Sequence, residues 1–263
     1  MHQQGLRVPV QRDPLFDLDN KVVLFTGAAG GLGSAIARAF AARGATLVLT
    51  DFQQEHVDNL AADFGDLDVT DTAALDIRDE AAVEKTVQGV AERHGRLDGL
   101  INAAGIFRIA PITEMNSDDF AASIASNLTG PFLLTRAAAR VMGQAGGGRI
   151  LHLASVSSQV ANPEYAAYAA SKAGLSQMIR VAARELAPKG ITVNAIGQAV
   201  TETPLTEEVL SDQNRRAEIL SQIPMGRLCE PNDILAAAIL LMAPGGSFIT
   251  GQTLYVDGGR TLV

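Results

Sequence analysis

The stretch Lys21-Val22-Val23-Leu24-Phe25-Thr26-Gly27-Ala28-Ala29-Gly30-Gly31-Leu32-Gly33 decides the fold class. Its first part is a short apolar run of the kind that forms a strand buried on both faces. From Leu32 to Arg43 the apolar side chains recur at helical spacing. Glycines at a turn from strand to helix let the backbone come close to a bound group, and the free N–H groups that open the helix attract a pyrophosphate. Gly27, Gly31 and Gly33 are spaced more widely than in the dinucleotide fingerprint GxGxxG, so the turn alone also fits other α/β proteins.

Outward from this turn, strand and helix patterns alternate without a change in composition. Strands are expected near 22–26, 46–50, 72–77, 97–102, 149–154, 191–196 and 253–256, with helical stretches between them. Short strands rich in Val, Ile and Leu, separated by helices, predict an α/β fold: a doubly wound, Rossmann-type seven-stranded parallel sheet with helices on both faces. Residues 18–263 read as one such domain. Residues 1–17, interrupted by Pro9 and Pro14, read as an N-terminal extension. Ligands in these sheets bind beyond the carboxyl ends of the strands. Gly27, Asp51, Asp76, Asn102, Ser155 and Asn194 all follow or close the apolar part of a strand.

Composition sets separate limits. The chain has 263 residues, 47% of them hydrophobic, a net charge of −8 and one cysteine. A single domain of this length buries roughly three quarters of its unfolded surface without staples. Lys and Arg are scattered, which argues against a nucleic-acid partner. Cys229 has no partner for an intrachain disulfide, and His2, His56, His94 and His152 show no ligand spacing, so no metal site is expected. No run is long and apolar enough for a signal peptide or a membrane span, and a cytoplasmic location is expected.

The chemistry is carried by Tyr168-Ala169-Ala170-Ser171-Lys172. On a helix, Tyr168 and Lys172 lie one turn apart on one face. An ammonium beside a phenol favours the phenolate, so the pKa of Tyr168 is expected below its reference of about 10, in the range of a proton shuttle. Asp51 ends the run Thr46-Leu47-Val48-Leu49-Thr50. An acidic side chain there can accept from both adenosine ribose hydroxyls and repels a 2′-phosphate. No Arg or Lys stands in the glycine loop or at 52–54, so NAD is preferred over NADP. Pro131 lacks the N–H that would bond the carbonyl of Asn127 in a helix running from Ser117 towards Met142 and interrupted by Gly130-Pro131, and that carbonyl is expected to be free to hold a water. Ser155, Ser157 and Ser158 offer three hydroxyls after one strand, and the residues themselves do not choose among them.

Taken together, TGAAGGLG, Asn102-Ala103-Ala104-Gly105, Asn127, Ser155 and the YAASK run resemble the short-chain dehydrogenase/reductase family, in its compact single-domain branch, over about residues 18–263. The resemblance selects Ser155 among the serines and implies a catalytic set of Asn127, Ser155, Tyr168 and Lys172. It implies that Lys172 both tunes the phenol and bonds the nicotinamide ribose, with Asn127 and a water completing a proton relay. The implied cofactor contacts are Gly27, Gly31, Leu32 and Gly33 in the turn, Asp51 with Phe52, the pair Asp76-Ile77, the turn Asn102, Ala103, Ala104 and Gly105, then Tyr168, Lys172, Val200 and Thr203. Two departures stand out: Ala103 replaces the second Asn of the family's NNAG turn, and Gln198-Ala199 replaces its Pro-Gly pair.

The expected function is an oxidoreductase moving a hydride between NAD(H) and the carbinol or carbonyl carbon of a small secondary alcohol or ketone. His152, Gln159, Asn162, Glu164 and Gln198 lean the substrate towards a polyol or sugar alcohol. Residues 201–224, rich in Glu and Gln, are expected to form a substrate lid. The helix 165–187 has a small-residue face and the stretch 234–242 is nearly all apolar. The second should be buried all round, and both fit the homotetramers habitual in the family. The alternatives are a non-catalytic dinucleotide-binding regulator and an NADP-dependent ketoreductase. A sugar-nucleotide epimerase needs more chain than residues 173–263 provide.

Overall fold

The computed structural model describes residues 13–65 and 69–263, so most of the expected N-terminal extension lies outside the described residues. Seven parallel strands form one sheet in the order β3-β2-β1-β4-β5-β6-β7. They are β1 (Val22–Thr26), β2 (Thr46–Asp51), β3 (Val69–Ala74), β4 (Gly99–Asn102), β5 (Gly148–Leu153), β6 (Ile191–Gln198) and β7 (Thr253–Val256). Strand order reverses between β1 and β4, which opens a crevice at their carboxyl ends.

Alternation along β1 builds both layers of the core. Val23 and Phe25 pack with α1 (Gly31–Ala41), where Phe25 meets Phe40 edge to face at 5.7 Å between ring centres. Val22 and Leu24 pack on the other face with Val83 and Val87 of α3 (Glu80–His94), which follows α2 (Gln54–Ala62). The same layer takes Leu134 and Ala138 from α5 (Gly130–Gln144) and Leu175 and Ile179 from α6 (Ala166–Leu186).

Three expectations change. Strand β3 ends at Ala74, because β2, its only neighbour among the described residues, stops pairing at Asp51, so Asp76 and Ile77 lie in the connection to α3. Gly130-Pro131 does not interrupt the helix. A π-helical turn, Ala125–Thr129, joins α4 (Ser117–Ile124) to α5, and Pro131 sits in the first turn of α5. The third concerns α9 (Leu235–Met242). It buries Ala238, Ile239, Leu241 and Met242, but leaves Ala236 exposed and Leu235 and Leu240 half-buried within the single chain.

Two short helices, α7 (Glu207–Ser211) and α8 (Gln213–Ser221), occupy the expected lid segment. Of the extension, Leu15 is described, and its carbonyl accepts from the Gly245 N–H at 2.8 Å. Among the described residues no helix is long and apolar enough to cross a membrane, and no cluster of ligands could hold a metal ion.

Candidate active site

Two cavities meet at the carboxyl edge of the sheet. The larger, of about 810 Å³, is walled by Gly27, Gly31, Leu32 and Gly33 at one side and by Asp51, Phe52, Asp76 and Ile77 at another. Ala103, Ala104, Gly105, Tyr168, Lys172 and Thr203 complete it. Of the expected cofactor contacts, two stand elsewhere. Val200 lines the second cavity, and Asn102 is buried behind the turn that it shapes.

The glycines are required by close approach. Gly27 has φ +66, and a Cβ on it would meet the Ala104 nitrogen at 2.4 Å; one on Gly33 would meet the Gly27 carbonyl at 2.2 Å. Gly30 precedes α1 without a side-chain cap, so the first N–H groups of that helix open onto the cleft wall. Asp51 sits at the tip of β2, where its Oδ2 accepts from the Ala29 N–H at 3.0 Å and its Oδ1 from the Phe52 N–H at 2.8 Å. A bare helix N-terminus beside a carboxylate at the next strand end fits a dinucleotide: pyrophosphate at the first, ribose hydroxyls at the second.

The sequence reading missed Arg78 in this wall. Its guanidinium grips Asp76 in a two-pronged pair, with Nη2 at 2.7 Å from Oδ2, and lies 5.9 Å from the centre of the Phe52 ring. Arg78 is not a sequence neighbour of Asp51; it comes to the wall from the connection between β3 and α3.

The smaller cavity, of about 420 Å³, lies under the lid and is lined by Ser155, Tyr165 and Tyr168, with Asn162, Glu164 and Arg215 further out. Leu32, Tyr168, Gln198, Thr203 and Leu205 line both cavities. Phe107 packs edge to face on Tyr168 and on Tyr165, at 4.8 and 5.2 Å between ring centres, and fixes both phenols. Glu164, in left-handed backbone at φ 70, pairs with Arg215 of α8 and ties the lid to the cavity rim. Two expected pocket groups are elsewhere: Gln159 is exposed outside the walls, and His152 is fully buried inside the sheet. His152 sits opposite Asn102 in the β4–β5 register, 3.3 Å from the Asn102 Nδ2 and 2.9 Å from the Thr135 hydroxyl.

Helix α6 carries Tyr168 and Lys172 on its buried face. The Lys172 Nζ donates to the Leu153 carbonyl at 2.8 Å and lies 5.7 Å from the centre of the Tyr168 ring. Asn127 accepts from the Ile106 N–H and donates to the Ile106 carbonyl, both at 2.9 Å, and donates to the Ser171 hydroxyl at 3.1 Å. It thus pins the loop after β4 to α6. The helix is widened at Asn127, where the Gly130 N–H bonds the Ala125 carbonyl.

A family model described as enoyl-(acyl carrier protein) reductase matches residues 27–261. The D-threitol dehydrogenase of Mycolicibacterium smegmatis is 39% identical over 248 residues, covering 94% of this chain and 95% of that protein. The chain belongs to the short-chain dehydrogenase/reductase family. A 3-oxoacyl-acyl-carrier-protein reductase of Thermotoga maritima is 37% identical over 246 residues, 93% of this chain and 99% of the other. Among solved structures, a gluconate 5-dehydrogenase from Burkholderia cenocepacia, in complex with NADP and tartrate, superposes with a TM-score of 0.91 at 34% identity, covering 95% and 98% of the two chains. Members of this family are oxidoreductases that bind a nicotinamide dinucleotide.

One electrostatic expectation for this short-chain dehydrogenase/reductase is corrected. The Tyr168 phenol was expected below its ordinary value; burial instead pushes it up to about 12, against a lowering by the Ser155 hydroxyl. Burial also depresses the Lys172 amine to about 8. The two groups share one dry face of α6, and loss of water is the largest cause of both shifts.

Proposed function

We propose that this enzyme is an NAD-dependent alcohol dehydrogenase or ketone reductase acting on a small polyhydroxylated substrate. The observation that carries the reading is the place of Tyr168, which lines the dinucleotide-sized cleft and the smaller cavity alike and has the Lys172 amine at its ring. The bound dinucleotide supplies hydride donation or acceptance at its nicotinamide ring. The chain's residues handle the proton. Ser155 donates to the substrate oxygen, and Tyr168, protonated across the neutral range, delivers its proton there in reduction. In oxidation the phenolate is the base, and the charge of Lys172 and a hydrogen bond from the Ser155 hydroxyl support it. Asn127 positions α6 and, with Lys172, forms the inner end of a proton relay.

NAD is favoured by Asp51, whose carboxylate stands where a 2′-phosphate would approach, and by the pairing of Arg78 with Asp76, which commits that cation. The NADP-dependent ketoreductase is the second reading. Arg78 in the cleft wall favours it, as does the NADP in the Burkholderia gluconate 5-dehydrogenase. A polyol substrate is supported by the amides and carboxylates of the smaller cavity and by the likeness to a D-threitol dehydrogenase. The half-covered apolar face of α9 and the exposed Phe132, Phe248 and Leu254 support a homotetramer.

The test is an initial-rate assay with NAD and NADP against alditols, aldonates, secondary alcohols and their ketones. Turnover with kcat/KM for NAD at least about 10-fold above NADP is expected, and Asp51→Ser should cut that ratio by about 10-fold or more. Absence of turnover with every pair refutes the dehydrogenase. A wild-type preference for NADP refutes the cofactor assignment alone.

A further inference from the structure

Gln198 closes β6, and its carboxamide is unemployed. Its Oε1 is buried without a hydrogen-bond partner, and among the described residues no group bonds its Nε2. An idle buried amide oxygen costs on the order of 1–3 kcal/mol, a cost removed when a ligand supplies a donor.

Its location narrows the ligand. The polar side chains in the wall common to both cavities are Tyr168, Gln198 and Thr203. The Thr203 hydroxyl is engaged with the Thr206 hydroxyl at 3.3 Å. The Tyr168 phenol handles the reacting oxygen, and the Gln198 amide is the group of the three with no partner in the structure. Tyr168 and Gln198 line the same shared wall, so a substrate whose carbinol oxygen met Ser155 and Tyr168 would have its neighbouring carbon as the next group able to face that wall. A hydroxyl there both donates and accepts, which matches an amide with both ends free. An apolar substituent leaves the amide unpaired.

We propose, resting on the dehydrogenase reading above, that Gln198 is a specificity residue that bonds the hydroxyl on the carbon next to the reacting carbinol, so that the enzyme selects vicinal diols over simple secondary alcohols. Sites built to bond a substrate hydroxyl reject the analogue lacking it far more strongly than apolar pockets reject a shape change.

The experiment compares 2,3-butanediol with 2-butanol in the wild type and in Gln198→Met, a near-isosteric change that removes both hydrogen-bonding ends. The readout is the ratio of the two kcat/KM values, in which any general loss of folded enzyme cancels. Gln198→Ala gives the same readout if the methionine is poorly accommodated. The wild type should favour the diol, and the substitution should reduce that preference by about 10-fold or more. An unchanged ratio, or no preference in the wild type, overturns the proposal. A rise in dinucleotide KM shared by both substrates, at constant ratio, assigns the amide to the cofactor instead and equally overturns it. Turnover of other alcohols in the panel without either butanol substrate overturns the diol assignment and leaves the dehydrogenase intact. Turnover of no alcohol or ketone at all overturns the dehydrogenase itself.

Discussion

Tyr168 meets two opposing demands. Its ring is buried against Phe107 and beneath the substrate cavity, which raises the phenol to about 12, whereas a base for alcohol oxidation needs the phenolate. The conflict resolves by direction of reaction: a neutral phenol is ready to give its proton in ketone reduction, and the Lys172 charge carries the burden in oxidation. Tyr168→Phe keeps the ring and its contact with Phe107 and removes only the proton. Turnover should fall by about 100- to 10,000-fold while dinucleotide affinity changes less than about 3-fold, read by initial rates and fluorescence titration. Retention of full turnover would displace Tyr168 from its role. The pair itself was legible in the sequence because helical spacing alone brings Tyr168 and Lys172 to one face. His152 and Arg78 were not legible. The pocket or the core can receive a polar residue at a strand end, and only the β4–β5 register puts His152 against Asn102.

At the scale of elements, the strand and helix order could be read from apolar runs, because each parallel strand is buried on both faces. Where the run met an edge the reading slipped: among the described residues β3 has one neighbour, so its length follows β2 and not its own composition. The lid was visible as a polar stretch, but not what holds it. Arg215 of α8 reaches Glu164, and Arg260 donates to Asn162 at 2.9 Å and to Gln222 at 2.7 Å, so α8 and the C-terminal end of the lid are fastened to the loop before α6. The Arg215 and Glu164 side chains are each 34% exposed, so solvent screens the pair and its share of global stability is small. Its effect belongs to local closure. Arg215→Ala should raise substrate KM several-fold, leave dinucleotide KM unaltered and move Tm by less than about 2 °C. A rise in both KM values, or a large drop in Tm, would show that the pair supports the fold and not the lid.

Across the whole molecule, one polar chain crosses the point where strand order reverses. The Thr26 hydroxyl of β1 donates to the Asn102 Oδ1 of β4 at 2.7 Å, and that same oxygen accepts from the Ala104 N–H at 3.2 Å in the turn under the cleft. With Oδ1 so committed, Asn102 turns its Nδ2 to the His152 Nδ1, which must accept, so the ring's proton is on Nε2 and is donated to Thr135 of α5. A neutral, single-tautomer histidine therefore links both halves of the sheet. Burial first, and the Lys172 charge second, lower it from 6.5 to about 3. Below pH 6.5 the unfolded chain takes up a proton that the folded chain refuses. Stability is thus lost as pH falls from 6.5 towards 3, by about 1.4 kcal/mol per pH unit, and is unaffected by this group above 6.5. Lys172 and Tyr168, at about 8 and 12, act only in the alkaline range. The paired Asp233, at about 2, also loses stability in acid, but it does so equally in a His152 variant. Urea unfolding of wild type and His152→Asn between pH 6 and 4 isolates the histidine by difference. The variant is expected to be less stable at pH 7, where the chain is broken, yet to lose less on acidification, with proton uptake on unfolding reduced by about one. Parallel pH dependences would mean that His152 titrates normally and that the chain across the sheet is not closed.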